Sequence, residues 1–229
     1  IVRKEAIAHV LPLKESTTNS NMYTEADEIP NYMAVLPETV EILDGDIYYG
    51  VPSIECVTVP SKVRILSETY WAVPNLRKAI ILTDKLDRIG DLAFYGCAKL
   101  EEVNIPDGVT QIGEGAFCWN LKLHKINIPS SVTRIEGSAF DSAPLDSIDI
   151  PAGVTFIGRN AFWNNRNLKK VYSRPITPPK TNEPTAISPY LPFLHSADEA
   201  ILYVPKGSAD AYRASEVFSE FKNIVELEA

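Results

Sequence analysis

Polar side chains recur in this chain at intervals of about 23 residues, each beside a short apolar pair. Hydroxyl, amide and carboxylate groups at such a point donate and accept hydrogen bonds, which suits a peptide or a glycan ligand. Simple exposure to water is the alternative interpretation. The series predicts a binding stripe that consists of Thr58, Asn104, Asn127, Asp149 and Tyr172.

Large aromatic side chains form a second series. Tyr95, Trp119 and Trp163 each stand one or two residues after a phenylalanine that belongs to a repeated Ala–Phe pair. Exposed rings on a rigid ridge stack on sugars or anchor a protein partner. The alternative is that these rings complete the core beneath the neighbouring segment. This aromatic ridge is therefore a candidate site for a glycan or a protein.

Catalytic chemistry has no support in the sequence. Neither G-x-S-x-G nor H-E-x-x-H occurs, and no glycine loop suits a phosphate group. His9, His124 and His195 lie in separate parts of the chain, without the spacing of metal ligands. Asp44 and Asp46 favour a plain turn over a calcium site, because the other units lack them. We expect a protein that is not an enzyme and holds no metal and no cofactor.

Charged residues precede each apolar pair, and their sign alternates from one unit to the next. In stacked parallel strands such residues lie about 5 Å apart, so each faces the opposite charge above and below. We expect a ladder of ion pairs here rather than a site for a strongly charged ligand. The ladder runs through Glu55, Arg77 and Lys78, Glu101 and Glu102, His124 and Lys125, Asp146, and Lys169 and Lys170.

The elements that position these residues are six tandem units of about 23 residues, over residues 34–171. Each unit opens with two apolar positions that flank one outward position, a period of two that predicts a strand. In the third unit this pattern places Ile80 and Leu82 inward and Ile81 outward. Proline follows in five units and ends the strand. Stacking is required, since one unit cannot bury its apolar face alone.

A second apolar piece in each unit, such as residues 109–112, predicts a second and shorter strand. Gly90, Gly113 and Gly158 then mark a tight turn, and a small–aromatic pair follows. Stacked in register, the rings form a ladder of about 4.8 Å per rung inside the coil. The pairs are Ile47 and Tyr48, Tyr70 and Trp71, Ala93 and Phe94, Ala116 and Phe117, Ala139 and Phe140, and Ala161 and Phe162.

The string L-x-x-I-x-I-P-x-x-V-T-x-I-G-x-x-A-F resembles the BspA-type leucine-rich repeat, which is known from surface proteins of anaerobic host-associated bacteria. The resemblance covers residues 34–171 and is clearest from Ile80 onward. It implies a leucine-rich-repeat solenoid with short parallel β-strands stacked in register and little helix. It also implies secretion or display on a bacterial surface, with adhesion or host interaction as the role.

Both ends of the chain depart from the repeat. Residues 172–229 hold a proline-rich excursion, a last strand at residues 202–204 and a helix that Ser208 can cap. We expect this strand–helix segment to cap the same solenoid, because an open last rung exposes core and strand edges. Residues 1–33 fit an N-terminal cap, a linker or a fragment of another repeat.

Composition limits the class of function. The net charge of −8 argues against nucleic acid and anionic membranes as partners. No apolar run approaches the roughly 20 residues that cross a bilayer. Three cysteines are too few for a disulfide framework and predict buried thiols. The chain opens without Met and without a signal-like apolar stretch, so we expect an upstream segment to have been removed.

These observations predict a non-enzymatic binding or adhesion module, extracellular or on the cell surface. It would recognise a protein or extracellular-matrix partner through the exposed surface of the solenoid. Two alternatives stay open: a glycan-binding module that uses the aromatic ridge, and an architectural spacer in a larger surface protein.

Overall fold

A computed structural model describes residues 33–183, 190–196 and 199–228. Over these residues the chain winds as a parallel β-solenoid of about eight turns with almost no helix, which confirms the predicted fold class. The predicted role of residues 1–33 falls outside the described residues, apart from Met33. No helix in the described ranges has the length and apolar character needed to cross a bilayer.

The described residues form strands of two to four residues, one helix of five residues, α1 (Ala209–Arg213), and a 3-10 helix at Glu216–Phe218. The strands are β1 (Met33–Val35), β2 (Ile42–Asp44), β3 (Cys56–Val59), β4 (Ile65–Ser67), β5 (Lys78–Ile81), β6 (Arg88–Ile89), β7 (Glu102–Val103), β8 (Gln111–Ile112), β9 (Arg134–Ile135), β10 (Ser147–Ile150), β11 (Phe156–Ile157), β12 (Lys170–Ser173), β13 (Ile201–Val204) and β14 (Asn223–Glu226).

The first strand of each unit pairs in parallel with the first strand of the next, so one repeat position forms a column. Two four-stranded sheets result, in the orders β1-β3-β5-β7 and β10-β12-β13-β14. Residues 124–128, between β7 and β10, are not a strand and interrupt this surface. We call the outward side of these two sheets the strand face. The second strands pair as β2-β4 and β6-β8-β9-β11, which confirms a second strand per unit.

A ladder of stacked rings runs through the interior, as predicted. Neighbouring centroids lie 4.8–5.6 Å apart, close to the spacing of parallel strands. The prediction is wrong in the second unit, where the ladder takes the buried Tyr70 and leaves Trp71 half-buried outside it. The reason is that Thr69 fills the small position there. The ladder consists of Tyr48, Tyr70, Phe94, Phe117, Phe140, Phe162, Phe193 and Phe218.

The register of the third unit differs from the prediction by one residue. Val57 of β3 pairs with Ala79 of β5 rather than with Ile80. Ala79 and Ile81 are therefore buried, whereas Ile80 is exposed and Leu82 is 54% exposed. Two apolar residues thus face solvent on an otherwise polar part of the surface.

The buried leucine before each main strand explains this shift. Leu76 precedes Ala79 by three residues, the same interval as in the other units. Thr83 then stands where most units have proline, and its buried hydroxyl donates to the carbonyl of Val63 at 2.5 Å. The shift places one extra residue, Leu82, between the strand and Thr83. The hydrogen bond fixes this longer segment to the second unit, to which Val63 belongs.

Glycine after the second strand is required by close approach of the backbones. A Cβ on Gly113 would lie 2.6 Å from the carbonyl carbon of Gly90, and a Cβ on Gly90 would lie 2.6 Å from the Cβ of Ser67. Left-handed backbone occurs two residues later, at positions such as Leu92 (φ 53°). The glycines therefore let adjacent turns pack at the spacing of the ring ladder.

The C-terminal segment closes the solenoid. β13 confirms the predicted last strand, and Tyr212, Phe218 and Phe221 are buried at the end of the ladder. The Tyr212 hydroxyl donates to the carbonyl of Pro175 at 2.7 Å. Ser208 stands at the N-cap position of α1, as predicted, but its hydroxyl donates back to the carbonyl of Pro205 and makes no capping hydrogen bond. β14 adds one further strand that the sequence pattern did not predict.

Candidate functional site

The predicted stripe lies on the strand face, at one repeat position. Strand pairing places Asp149 beside Tyr172, Tyr172 beside Tyr203, and Tyr203 beside Val225. Sequence analysis missed Tyr203 and Val225, although residues 202–204 repeat the apolar–Tyr–apolar pattern of a main strand. In chain order the column holds Thr58, Ile80, Asn104, Asn127, Asp149, Tyr172, Tyr203 and Val225.

The amide of Asn104 is used by the fold. Its Nδ2 donates to the carbonyl of Ile81 at 2.9 Å, and its Oδ1 accepts from the N–H of Ile81 at 2.8 Å. Because β7 ends at Val103, this side chain takes the place of the next backbone pair. Asn104 is therefore a structural residue that uses one donor and one acceptor of its amide to hold the backbone of Ile81.

Asn127 lies at the interruption between the two sheets. An open hollow of about 520 Å³ forms there, and Ile80, Glu102 and Lys125 also line it. Lys78 and Glu102 form an ion pair of 2.6 Å at its rim. The hollow combines an exposed apolar side chain with charged neighbours, so it can receive one side chain of a partner.

A second group on the strand face is built around two tyrosines. Tyr172 and Tyr203 stack with centroids 4.7 Å apart and planes 15° apart. The guanidinium of Arg174 lies 5.0 Å from the centroid of Tyr172, and Asp149 accepts two hydrogen bonds from it, at 2.9 and 2.7 Å. Val225, 44% exposed, continues the surface on the edge strand. We call Asp149, Tyr172, Arg174, Tyr203 and Val225 the tyrosine patch.

The predicted charge ladder forms over the first part of the strand face. Arg77 lies 3.9 Å from Glu101, and His124 lies 3.8 Å from Asp146. The hydrogen bond from Lys78 to Glu102 raises the pKa of that lysine. Local cancellation of charge, as predicted, therefore holds in this region.

Alternation of charge stops at the tyrosine patch. Lys170 of β12 stands between Ser147 of β10 and Ile201 of β13, and neither neighbour is acidic. Among the described residues no carboxylate forms an ion pair with Lys170. The expectation that charges cancel along the whole strand face is therefore wrong at this end, because β13 brings an apolar residue where earlier units bring an acid.

The predicted aromatic ridge is divided between two columns. Tyr95 and Trp163 share the position just after the ring ladder, but Cys118 and Asp141 stand between them. Trp119 belongs to the next position, where the backbone is left-handed (φ 60°), and it is 48% exposed. The three residues therefore do not form one continuous surface.

Tyr95 instead belongs to a row in the first three units. Its ring meets Trp71 edge-on at 5.9 Å, and Trp71 meets Tyr49 edge-on at 5.4 Å. Trp163 stacks on Tyr190 at 5.4 Å, which lies in the C-terminal excursion. The row Tyr49, Trp71 and Tyr95 was missed because Trp71 had been assigned to the interior ladder.

Asp141 is buried in the column between the two aromatic groups. The Ser142 hydroxyl donates to its carboxylate at 2.7 Å, and the Asn164 amide donates to that hydroxyl at 3.1 Å. Burial raises the pKa of Asp141 to about 6, although the Ser142 hydrogen bond opposes this. Burial also raises the pKa of the Cys118 thiol, which makes it a poor nucleophile.

Buried side chains three residues after the ladder ring donate hydrogen bonds to the backbone of the preceding unit. The amides of Asn120 and Asn165 donate to the carbonyls of Phe94 and Phe140 at 3.0 and 2.7 Å. Cys97, a free and buried thiol, occupies the same position, and burial raises its pKa to about 12. Within the described ranges no three side chains of His, Cys, Asp or Glu converge as metal ligands.

Two of three comparisons relate this chain to known proteins. A search of the curated proteins found no match. Similar solved structures include a leucine rich cell surface protein from Faecalibacterium prausnitzii A2-165, with 23% identity and a TM-score of 0.48 over 74% of this chain and 60% of that one. A leucine rich repeat protein from T. pallidum has 26% identity and a TM-score of 0.43 over 62% of this chain and 58% of that one.

The pneumococcal vaccine antigen PcpA is 12% identical, with a TM-score of 0.43 over 83% of this chain and 72% of that one. This chain thus spans about 60% of the length of the first two structures. A family model for the BspA type leucine rich repeat region matches residues 41–169 in six copies, which is more than half of the chain. The chain belongs to the BspA-type leucine-rich-repeat family.

Proposed function

We propose that this chain is a non-enzymatic binding module that recognises a protein or extracellular-matrix partner through its strand face. The observation that supports this most is the tyrosine patch, in which Tyr172 and Tyr203 stack on a four-stranded sheet. Tyr and Arg are among the residues that dominate binding energy at protein interfaces. A rigid sheet also loses little conformational entropy when a partner binds.

The proposed setting is the cell surface or the extracellular space, with adhesion as the role. This rests on the family, because BspA-type repeats are known from surface proteins of host-associated bacteria. Leucine-rich-repeat folds serve in general as repeat-based binding surfaces rather than as enzymes. The tyrosine patch fits that use, since it offers shape and hydrogen-bonding groups without an activated nucleophile.

The test is a panel of extracellular-matrix and host-surface proteins probed with the purified chain. Wild type is compared with Tyr172→Ala/Tyr203→Ala and with Ile65→Ala, an exposed apolar residue on the second-strand side. We expect at least one partner to bind wild type and the Ile65 variant equally, and the double variant about tenfold more weakly or worse. If wild type and both variants bind the partner equally, the tyrosine patch is not the binding site. If no protein of the panel binds the wild-type chain, the result would favour an architectural spacer in a larger surface protein.

A glycan-binding module is the second candidate, and the row of Tyr49, Trp71 and Tyr95 favours it, with Tyr49 exposed and the other two rings half-buried. A glycan array probed with wild type, Tyr49→Ala and Trp119→Ala tests this idea. Trp163 is a poorer test residue, because its ring is stacked against Tyr190 and its removal also weakens the fold. A glycan signal that both variants retain would remove the aromatic rings from consideration.

A further inference from the structure

We infer that the tyrosine patch recognises an acidic, partly apolar peptide segment, in which an Asp or Glu stands two positions from an apolar residue. This inference rests on the proposed function and specifies the chemistry of its partner. It combines a cation that has no ion pair among the described residues with a partly exposed apolar surface on the same sheet.

The cation is Lys170. In the first part of the strand face Lys78 meets Glu102 at 2.6 Å, so its charge is balanced. Lys170 has Ser147 and Ile201 as its neighbours in register, so its ammonium group keeps an uncompensated charge. Lys170 lies on the strand that also carries Tyr172, so its ammonium group favours an anionic group from a partner next to an aromatic surface.

Two carboxylates on the same sheet as Lys170 are already engaged. Asp149 accepts both hydrogen bonds of Arg174. Glu226 accepts from the N–H of Ala209 at 3.1 Å, and backbone hydrogen bonds lower its pKa. Asp146, one column away, faces the ring of His124. No carboxylate stands in register with Lys170 on either neighbouring strand, so a partner can supply the counter-charge.

The apolar part of the patch separates a peptide from a pure polyanion. Ile201 and the two tyrosine rings are half-buried, and Val225 is exposed on the edge strand. A sulfated glycan would meet Lys170 and could stack on a tyrosine ring, but its polar groups would match Ile201 and Val225 poorly. Apolar peptide side chains cover this apolar surface and gain roughly 25 cal/mol for each Å² removed from water.

Spacing along β12 sets the pattern of the peptide. Lys170 and Tyr172 point outward from positions two residues apart, a separation of about 6.6 Å in a strand. An extended peptide has the same period, so an acidic residue at one position and an apolar residue two positions later face Lys170 and Tyr172 together. The structure thus specifies both the composition and the spacing of the segment.

The experiment uses synthetic polymers as probes and the full chain as the binder. Fluorescent poly(Glu,Tyr), poly-glutamate, poly(Lys,Tyr) and heparin are titrated against wild type, Lys170→Glu, Tyr172→Ala/Tyr203→Ala and Lys62→Glu. Lys62 is an exposed lysine between β3 and β4, away from the patch, and serves as the matched charge control. Thermal unfolding of each variant confirms that it is folded.

We expect poly(Glu,Tyr) to bind most tightly, and to bind Lys170→Glu and the tyrosine variant about tenfold more weakly while Lys62→Glu stays like wild type. Equal binding of poly-glutamate would overturn the apolar part of the inference. Tighter binding of heparin than of poly(Glu,Tyr), whether or not it depends on the tyrosines, would point to a sulfated glycan and overturn the peptide. Preference for poly(Lys,Tyr) would overturn the charge argument.

Failure of this inference is distinguishable from failure of the proposed function. If a protein partner from the panel is lost with the tyrosine variant but kept by Lys170→Glu, the strand face binds proteins and the acidic segment is wrong. If neither change affects a partner, both proposals fall.

Discussion

Tyr172 and Tyr203 stack outside the solenoid at 4.7 Å, almost the distance at which Phe162 and Phe193 stack inside it. Both stacks arise from the same cause, because parallel strands in register bring identical positions of successive turns together. The interior stack is sealed in the core and stabilises the coil. The exterior stack is half-buried on the strand face, so the remaining surface of its rings is available to a partner.

Two buried hydroxyls at the start of the ring ladder give a first prediction. Tyr48 and Tyr70 stand where the following units have Phe, and among the described residues neither hydroxyl has a hydrogen-bond partner. Removing an unsatisfied buried polar group is favourable. We expect Tyr70→Phe to raise the free energy of unfolding by about 1 kcal/mol in urea titrations.

The matched control is Tyr212→Phe, since that hydroxyl bonds both Pro175 and Ser173. Its loss should lower the free energy of unfolding. If both substitutions destabilise by the same amount, the Tyr70 hydroxyl has a partner and the argument fails.

Asn104 and Asn127 give a second prediction, because the same residue type at the same repeat position has different roles. Asn104 makes two hydrogen bonds to the backbone of Ile81, so Asn104→Ala should cost about 1–2 kcal/mol of stability. Asn127→Ala should leave stability within about 0.5 kcal/mol of wild type. Chemical unfolding of both variants checks this. An equal loss in both would mean that the Asn104 contacts contribute nothing specific.

Many features of the fold were predictable from the sequence because they depend on spacing. The buried positions after each proline and the ring ladder follow the repeat interval, and both are found. The predicted register of the third unit was wrong because Ile80, Ile81 and Leu82 are all apolar, so alternation alone cannot identify the two inward residues. The distance from Leu76 settles the register, and that signal was present in the sequence.

The candidate site was only partly predictable. The repeat position of Asp149 and Tyr172 is visible in the sequence, but the proline-rich excursion breaks the interval before Tyr203. The use of the Asn104 amide by the backbone of Ile81 depends on where β7 ends, which the pattern does not specify. The division of the aromatic ridge follows from which aromatic residue of each unit enters the ladder.

Asp141 gives a third prediction, on pH. Its folded-state pKa of about 6 lies above the unfolded value of 3.8. The neutral carboxyl therefore supports the fold fully below about pH 4, and that stability is lost as the pH rises to about 6. Above this, the buried carboxylate costs on the order of 2 kcal/mol, after allowance for its partial contact with water.

Asp141→Asn should consequently be more stable than wild type at about pH 7 and similar to it at about pH 4. Unfolding titrations across this range measure the difference. A gain that is independent of pH would show that packing, rather than ionisation, separates the two proteins.

The charge ladder gives a fourth prediction. Glu101 and Glu102 face Arg77 and Lys78 across β5 and β7. Glu101→Lys with Glu102→Lys replaces attraction by repulsion, so the melting temperature should fall at low salt. The loss should shrink as salt is added, since these side chains are exposed and screened. A loss that does not change with salt would mean that the ion pairs are not its cause.

Photo-crosslinking identifies the surface of the solenoid that a partner contacts. p-Benzoylphenylalanine is introduced at Tyr203 on the strand face and, in a matched protein, at Ile65 on the second-strand side. Each is irradiated with a partner found in the binding panel. We predict a covalent adduct from position 203 and none from position 65. Adducts from position 65 alone would contradict the account, because the partner would then bind a surface other than the strand face.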